Sequence, residues 1–142
     1  MKIVICGSLD FTYQIEKIAI KLRNLGHQVT IPKVSKMILN GKVSLKQILN
    51  EKKTGEIFKR AIKLDVLKYY FNKIKKADAI LVVNLDKDGV KNYIGGNTFL
   101  EMGFAYVLGK KIFLLNPIPD VPYRTEIKAM QPIILNGKLD TI

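Results

Sequence analysis

Residues 79–83, Ala-Ile-Leu-Val-Val, form the most hydrophobic strand pattern in the sequence, and they directly follow Asp78. Consecutive apolar residues of this kind are typical of a strand that is covered on both faces, as the central strands of parallel sheets are. The stretch therefore predicts the centre of a parallel sheet. We interpret Asp78 as a structural residue that bonds nearby amides where this strand begins.

The segments that precede this strand predict a crossover unit. Residues 2–6 form a β-branched run that ends at Gly7, and residues 11–25 carry apolar side chains at helical spacing. Gly26 ends that helix, and residues 27–31 alternate as a second strand. This β-α-β order is that of two parallel strands joined by a helix.

The rest of the chain continues the alternation of helices and strands. We predict a helix that begins at Ser44 in a weakly patterned insertion at 33–53, one long helix at 56–76, a helix at 97–108, a strand at 111–115, a short helix at 125–130 and a last strand at 132–135. We therefore expect one α/β domain over residues 1–142. Its fold should be doubly wound and flavodoxin-like, with a mostly parallel sheet of about five strands and helices on both faces.

The composition is that of a globular protein. The chain has 142 residues, 48% of them hydrophobic and 25% charged, which fits one domain with a substantial core. No apolar stretch is long enough to cross a bilayer, and the apolar N-terminal run lacks a small-residue cleavage site. The lone Cys6 fits a reducing compartment. We therefore expect a cytoplasmic protein without a membrane span.

The formal net charge of +12 suggests a nucleic-acid partner at first sight. However, the lysines are spread through nearly every predicted helix, arginine is scarce, and no nucleic-acid motif is present. This pattern favours solvated helix faces over a polyanion-binding surface. We expect no nucleic-acid partner, and a small anionic substrate fits the charge. An RNA-associated basic protein is a further alternative.

The fold class indicates where a ligand should bind. In doubly wound sheets, ligands bind outside the carboxyl ends of the strands, where the strand order reverses. The loops at those ends are residues 7–10, 84–98 and 116–122. The candidate substrate-binding residues in these loops are Gly7, Ser8, Asn84, Asp86, Gly95, Gly96, Asn97, Thr98 and Asn116.

The most informative stretch is 93–105, in which paired glycines precede a predicted helix. Such glycines can expose several backbone N–H groups to an anion or a sugar hydroxyl. Thr98 and Glu101 also have the spacing of a capping box. The Glu101 carboxylate therefore has two alternative roles, to satisfy an amide of its own helix or to contact a ligand.

Several other residues near these loops also have alternative roles. Gly7 and Ser8 can cradle a phosphate or sugar, or form an ordinary turn between strand and helix. Phe11 and Tyr13 can stack on a nucleobase or pack in the core. His27 faces away from the expected site, so we interpret it as structural. No Cys and His residues have metal-binding spacing, and we predict no metal.

Three segments of the chain resemble the nucleoside 2-deoxyribosyltransferase superfamily, which also contains nucleoside 5'-monophosphate N-glycosidases. The resemblance covers most of the chain in the order of its elements. Its specific part lies in the N-terminal strand with Cys6-Gly7-Ser8, in the strand at 77–82, and in the Glu101-bearing helix at 99–105 followed by residues 109–112.

The resemblance implies cleavage or transfer of the N-glycosidic bond of a nucleoside or nucleotide, with Glu101 as the catalytic nucleophile. A carboxylate of this kind traps the sugar after the base leaves, and water or a second nucleobase completes the reaction. The resemblance also implies a small-molecule nucleoside or nucleotide partner and a homodimer or larger homo-oligomer. We expect no cofactor. The order of residues 95–98 and Glu101 is also similar to phosphoribohydrolases that release cytokinin bases.

The chain departs from the family at the group that handles the leaving base. Family members place an acidic residue on the helix before the strand that follows Asp78, and this chain has Tyr70 there. Asp86 and Asp88 are candidate proton donors, although each also suits an ordinary turn. The alternative is therefore a catalytically inactive nucleotide-binding or sensing module of the same fold.

Overall fold

The computed structural model describes residues 1–142 and contains one five-stranded sheet in which all neighbouring strands are parallel. The strands are β1 (Lys2–Gly7), β2 (Gln28–Thr30), β3 (Ala79–Val83), β4 (Lys111–Leu114) and β5 (Ile133–Ile134). Their spatial order is β2-β1-β3-β4-β5, so the direction of winding reverses between β1 and β3. The predicted doubly wound, parallel α/β fold is confirmed.

Helices connect these strands and surround the sheet. They are α1 (Thr12–Asn24), α2 (Lys33–Leu39), α3 (Leu45–Thr54), α4 (Ile57–Lys63), α5 (Val66–Lys75), α6 (Gly96–Val107) and α7 (Arg124–Ala129). None of them combines the length and the apolar character that a membrane crossing requires.

Two apolar cores cover the two faces of the sheet because side chains alternate along each strand. On β1, Ile3 and Ile5 pack with the buried face of α1, whereas Val4 and Cys6 pack with α5, α6 and α7. All five residues of β3 are buried, which confirms the predicted central strand. Cys6 therefore lies on the same side of the sheet as the helix that carries Glu101.

Asp78 and His27 have the structural roles that the sequence predicts. The backbone N–H of Lys2 donates to Asp78 Oδ2 at 2.7 Å, and this contact ties the start of β1 to the start of β3. The ring of His27 contacts the N-terminal amino group through Nδ1 at 3.1 Å. Both contacts lie at the amino ends of the strands, away from the expected ligand site.

The insertion at 33–53 is more ordered than its sequence pattern suggests, because it contains α2 as well as α3. The predicted helix start at Ser44 is confirmed, since Ser44 Oγ accepts a hydrogen bond from the Gln47 amide at 3.0 Å. A third, smaller apolar cluster holds this segment together. Its buried members are Val34, Ile38, Val43 and Ile48.

The prediction of one long helix at 56–76 is wrong, because the chain breaks at Asp65 into α4 and α5. Asp65 adopts a left-handed conformation with φ of 46°. Leu64 packs on the small cluster of the insertion, whereas Val66 packs on the sheet core. Two apolar surfaces that lie in different directions cannot both be reached by one straight helix.

Candidate functional site

Glu101 lies in the second turn of α6, because the helix begins at Gly96. The N-cap residue is Gly95, and no side chain caps this end of the helix. The alternative in which Thr98 and Glu101 form a capping box is therefore wrong. The carboxylate is available for another role.

The side chain of Glu101 is buried between α6, β1 and α5, with 6% of its surface exposed. Burial away from water raises the pKa of Glu101 to about 7, and a hydrogen bond with the Cys6 thiol acts in the opposite direction. Burial raises the pKa of Cys6 well above its usual range, so the thiol keeps its proton. At neutral pH a substantial fraction of Glu101 is ionised and a substantial fraction is protonated.

Glu101 lines a cavity of about 70 Å³ at the carboxyl end of β1, which we call the inner chamber. Its wall is mostly apolar, and Glu101 is its only carboxyl group. Its lining residues are Gly7, Leu9, Pro32, Val34, Ile57, Arg60, Ala61, Val66, Tyr70, Asn97 and Glu101. The cation among them, Arg60, is paired with Glu51 through two hydrogen bonds of 3.0 Å.

Tyr70 is a further polar side chain that is fixed in the inner chamber. Its hydroxyl oxygen accepts a hydrogen bond of 2.9 Å from the Lys33 amide, and its side chain is buried. Burial and the nearby Glu101 carboxylate raise the pKa of Tyr70 well above its usual range. The phenol therefore keeps its proton at neutral pH and can donate a hydrogen bond.

A second cavity of about 190 Å³, which we call the outer chamber, adjoins the first. The two chambers share Gly7, Leu9, Ile57 and Asn97. The lining residues found only in the outer chamber are Ser8, Lys52, Lys87, Tyr93, Gly95, Gly96 and Thr98. The two chambers together form one bipartite cleft beside the point where the sheet reverses.

Two lysines give the outer chamber its positive charge. Lys52 Nζ lies 2.5 Å and Lys87 Nζ lies 3.1 Å from Asp10 Oδ1, and each lies 3.2 Å from Ser8 Oγ. Partial burial favours protonation of Asp10, but the hydrogen bonds from Lys52 and Ser8 outweigh it and lower the pKa of Asp10 to about 2. Two ammonium groups against one carboxylate leave a net positive charge at this cluster.

Backbone packing explains Gly7 at the cleft, whereas Gly96 lies next to open space. A Cβ on Gly7 would lie 3.0 Å from the Val83 carbonyl oxygen, a contact so tight that β1 and β3 would have to shift to accept a side chain here. A Cβ on Gly96 would meet no atom within 4 Å beyond its chain neighbours and the backbone of its own helix. Because no side chain caps α6, the N–H groups of its first turn remain available to an anion in the outer chamber.

Most of the predicted site residues lie together, but three do not line either chamber. Asn84 donates to the carbonyl oxygens of Asn116 and Pro117 at 3.0 and 3.1 Å, and it accepts from the Asn116 amide at 2.9 Å. Asp86 accepts from the Asn92 amide at 2.9 Å. Their proposed contacts with a substrate therefore stay predictions, since these side chains bind the loops themselves.

Sequence reasoning missed Lys52 and Lys87 as site residues. Lys87 lies in the loop 84–98, one of the loops in which the fold class predicts ligand binding. Its positive charge in that loop could therefore have marked it as a candidate site residue. Lys52 lies in α3, where no pattern distinguishes it from the other lysines. Of the predicted aromatic residues, Phe11 is buried in the core and Tyr13 is exposed. No three His, Cys, Asp or Glu side chains lie close enough together to hold a metal ion.

The fold and the cleft define an α/β protein whose doubly wound parallel sheet presents a buried carboxyl group at its carboxyl edge. The chain is similar in structure to the CMP N-glycosidase BcmB of Clostridium botulinum, with a TM-score of 0.52 and 18% sequence identity. The match covers 96% of this chain and 90% of that protein. No family model and no curated protein sequence matches the chain. At this identity the similarity shows a shared fold.

Proposed function

We propose that this protein cleaves or transfers the N-glycosidic bond of a nucleotide, with Glu101 as the nucleophile. The observation that carries this proposal is the juxtaposition of one buried, ionisable carboxyl group with a basic chamber at the reversal point of the sheet. The fold shared with a CMP N-glycosidase supports the class of reaction.

The two chambers suit the three parts of a nucleotide. The inner chamber has the apolar wall that a flat base requires, with Leu9, Pro32 and Val34 among its lining residues. Gly7 and Asn97 line both chambers, so the sugar lies at this boundary, within reach of Glu101. The 5'-phosphate then lies in the outer chamber.

The phosphate has two kinds of partner in the outer chamber. Lys52 and Lys87 supply charge, and the uncapped N-terminus of α6 supplies backbone N–H donors. Asp10 holds both lysines by their ammonium groups before a ligand arrives. Such preorganisation lowers the entropy cost of binding, because the lysine side chains are already ordered.

The chemistry follows from the position of Glu101. The ionised carboxylate attacks the anomeric carbon as the base departs, and a covalent glycosyl ester forms. The apolar wall excludes water and strengthens the attraction between the carboxylate and the developing positive charge on the sugar. Water then releases the sugar phosphate, or a second nucleobase accepts it.

Free base released from a panel of ribonucleotides and deoxyribonucleotides tests this proposal directly. Wild-type protein should release base from at least one nucleotide, and Glu101→Gln should abolish the release. Glu126→Gln is a matched control, because Glu126 is exposed on α7, and it should retain full activity. A 2'-fluoro nucleotide should leave a covalent adduct on Glu101 that mass spectrometry of peptides locates.

A nucleotide-binding module without catalysis is the second candidate function. The observation that favours it is the phenol of Tyr70 at the position where the family resemblance expects an acid. Such a module would be stabilised against heat by nucleotides and would release no base. Base release that depends on Glu101 would exclude it.

We also propose a homodimer or larger homo-oligomer, formed through an exposed apolar groove between α5, α6 and α7. No charged residue lines this groove, although the chain carries a net charge of +12. Its lining residues are Phe71, Phe99, Leu100, Gly103, Phe104, Val107 and Met130. Contact between two copies here would stabilise α6, the helix that carries Glu101.

A further inference from the structure

Tyr70 lies in the wall of the inner chamber. Its hydroxyl oxygen is held in place by a hydrogen bond, and its hydroxyl proton can be donated to another group. The Lys33 amide donates to its hydroxyl oxygen at 2.9 Å, and 5% of the side chain is exposed. Tyr70 lies close enough to Glu101 for the carboxylate to stabilise the protonated phenol. A phenol held in this way can donate one hydrogen bond to a group in the chamber.

The cleft has no second carboxyl group that could give a proton to a leaving base, and its lysines lie in the outer chamber, away from the base. Glu101 is the only carboxyl group that lines either chamber, and it must be ionised to attack. Asp10 is held ionised by Lys52 and Lys87. Asp86 and Asp88 line neither chamber, and Asp88 forms part of a left-handed turn.

We propose that Tyr70 is a catalytic residue that stabilises the departing base by a hydrogen bond without protonating it, and that the substrates are nucleotides whose base leaves as a stabilised anion. This inference rests on the proposed function of Glu101. It selects bases with two electron-withdrawing ring carbonyls, such as uracil, over cytosine, which has one and forms a less stable ring anion.

The bonding changes balance without an acid. The bond from the anomeric carbon to the base nitrogen breaks, and its electron pair stays on the base. A bond from a Glu101 carboxylate oxygen to the anomeric carbon forms in its place. Tyr70 keeps its proton and donates a hydrogen bond to the base, which takes a proton from water after it leaves. Water then cleaves the ester and regenerates the carboxylate.

A series of nucleotides with leaving bases of graded acidity tests the inference. The probes are cytidine, uridine, 5-fluorouridine and 5-nitrouridine 5'-monophosphates, whose bases form progressively more stable anions. For wild-type protein, kcat/KM should increase steeply along this series, since the enzyme does not protonate the base. This measurement requires no variant and stays valid if a Tyr70 variant fails to fold.

Tyr70→Phe keeps the ring and removes the hydroxyl. We expect kcat for uridine 5'-monophosphate to decrease by about 10- to 100-fold, which corresponds to one hydrogen bond to a developing charge. For the 5-nitro compound the decrease should be less than about 3-fold, because its base needs little stabilisation. KM should change little, since the hydrogen bond strengthens only as charge develops.

Two results would overturn the inference and leave the proposed function intact. One is equal loss of kcat for all four probes in Tyr70→Phe, which indicates a structural role. The other is a wild-type kcat/KM that does not vary along the series of leaving bases, which indicates that an acid protonates the departing base. If wild-type protein released base from no nucleotide, the proposed function itself would fail, and this inference with it.

Discussion

Asn84 and Asn116 bind each other reciprocally at the carboxyl ends of β3 and β4. The backbone N–H of Asn116 donates to Asn84 Oδ1 at 2.9 Å, and the side-chain Nδ2 of Asn116 donates to the backbone carbonyl oxygen of Asn84 at 3.0 Å. Asn84 also donates to the carbonyl oxygens of Asn116 and Pro117. Asn84 is fully buried, and this pair fixes the loops that leave both strands.

From this contact we predict that Asn84→Ala destabilises the fold by about 2–4 kcal/mol. The backbone N–H of Asn116 and the carbonyl groups of Asn116 and Pro117 would lose their hydrogen-bond partner. Asn116→Ala should cost less, because the Asn116 side chain makes one of these hydrogen bonds. Urea denaturation with an unchanged m-value checks both variants. Loss of activity in Asn84→Ala without loss of stability would instead support a direct contact with substrate.

The buried carboxyl of Glu101 should lower the stability of the protein as pH rises. Its pKa is raised from 4.5 to about 7 in the folded state, so the folded protein binds more protons than the unfolded chain between these values. The stability present below the unfolded pKa is therefore lost through this window, by up to about 3 kcal/mol.

Glu101→Gln removes this titration. The melting temperature of the variant, relative to wild type, should be higher at about pH 8 than at about pH 5. Glu126→Gln on the exposed surface should show no such trend. A constant difference between Glu101→Gln and wild type across this range would contradict a raised pKa of Glu101 in the folded protein.

The same titration should govern the rate. In the proposed mechanism only the ionised Glu101 attacks, so kcat/KM should increase with pH, with a midpoint near the pKa of about 7, and then level off. Cys6→Ala removes the hydrogen bond that lowers this pKa, so the midpoint should move to higher pH. The nucleotide phosphate titrates near about pH 6 and would not move with this substitution. A midpoint unchanged in Cys6→Ala would contradict the assignment to Glu101.

Lys52 and Lys87 in the outer chamber predict that the protein prefers nucleotides to nucleosides. Lys52→Met or Lys87→Met should lower kcat/KM for a nucleoside 5'-monophosphate by about 10- to 100-fold, since each removes a charged hydrogen-bond donor. The rate with the corresponding nucleoside should change far less. Lys53→Met is the matched control, because Lys53 is exposed on the same helix. Equal losses with both substrates would place the phosphate elsewhere.

The apolar groove predicts how copies of the chain associate. Val107 is 84% exposed in the groove, and Val107→Glu would bury a charge if a second copy covered it. We expect this variant to be smaller than wild type in sedimentation velocity. Ile20→Glu, at an exposed position of α1, should leave the assembly unchanged. A wild-type protein that sediments as a monomer would exclude the proposed oligomer.

Local patterns in the sequence suffice for the order of elements. The apolar run at 79–83 marks the central strand, and the helical spacing at 11–25 marks the crossover helix. Ser44 marks a helix start because its side chain caps an amide only three residues away. These features depend on neighbours in sequence, and so they can be predicted from sequence alone.

The tertiary structure decided the features that depend on distant residues. The break at Asp65 arises because two separate cores attract the two halves of one helical pattern. The pairing of Lys52 and Lys87 around Asp10 joins residues from α3, from the loop after β3 and from the turn after β1. No local sequence spacing predicts that these three residues lie together.

The sequence by itself therefore determined the parallel sheet and the edge where Glu101 lies, because hydrophobic periodicity and the winding rule act on each segment separately. Only the tertiary structure decided that Glu101 does not cap its own helix, that it faces an apolar chamber, and that a basic chamber lies beside it. Burial and electrostatic fields are sums over residues from the whole chain, and these sums set the chemistry of a carboxyl group.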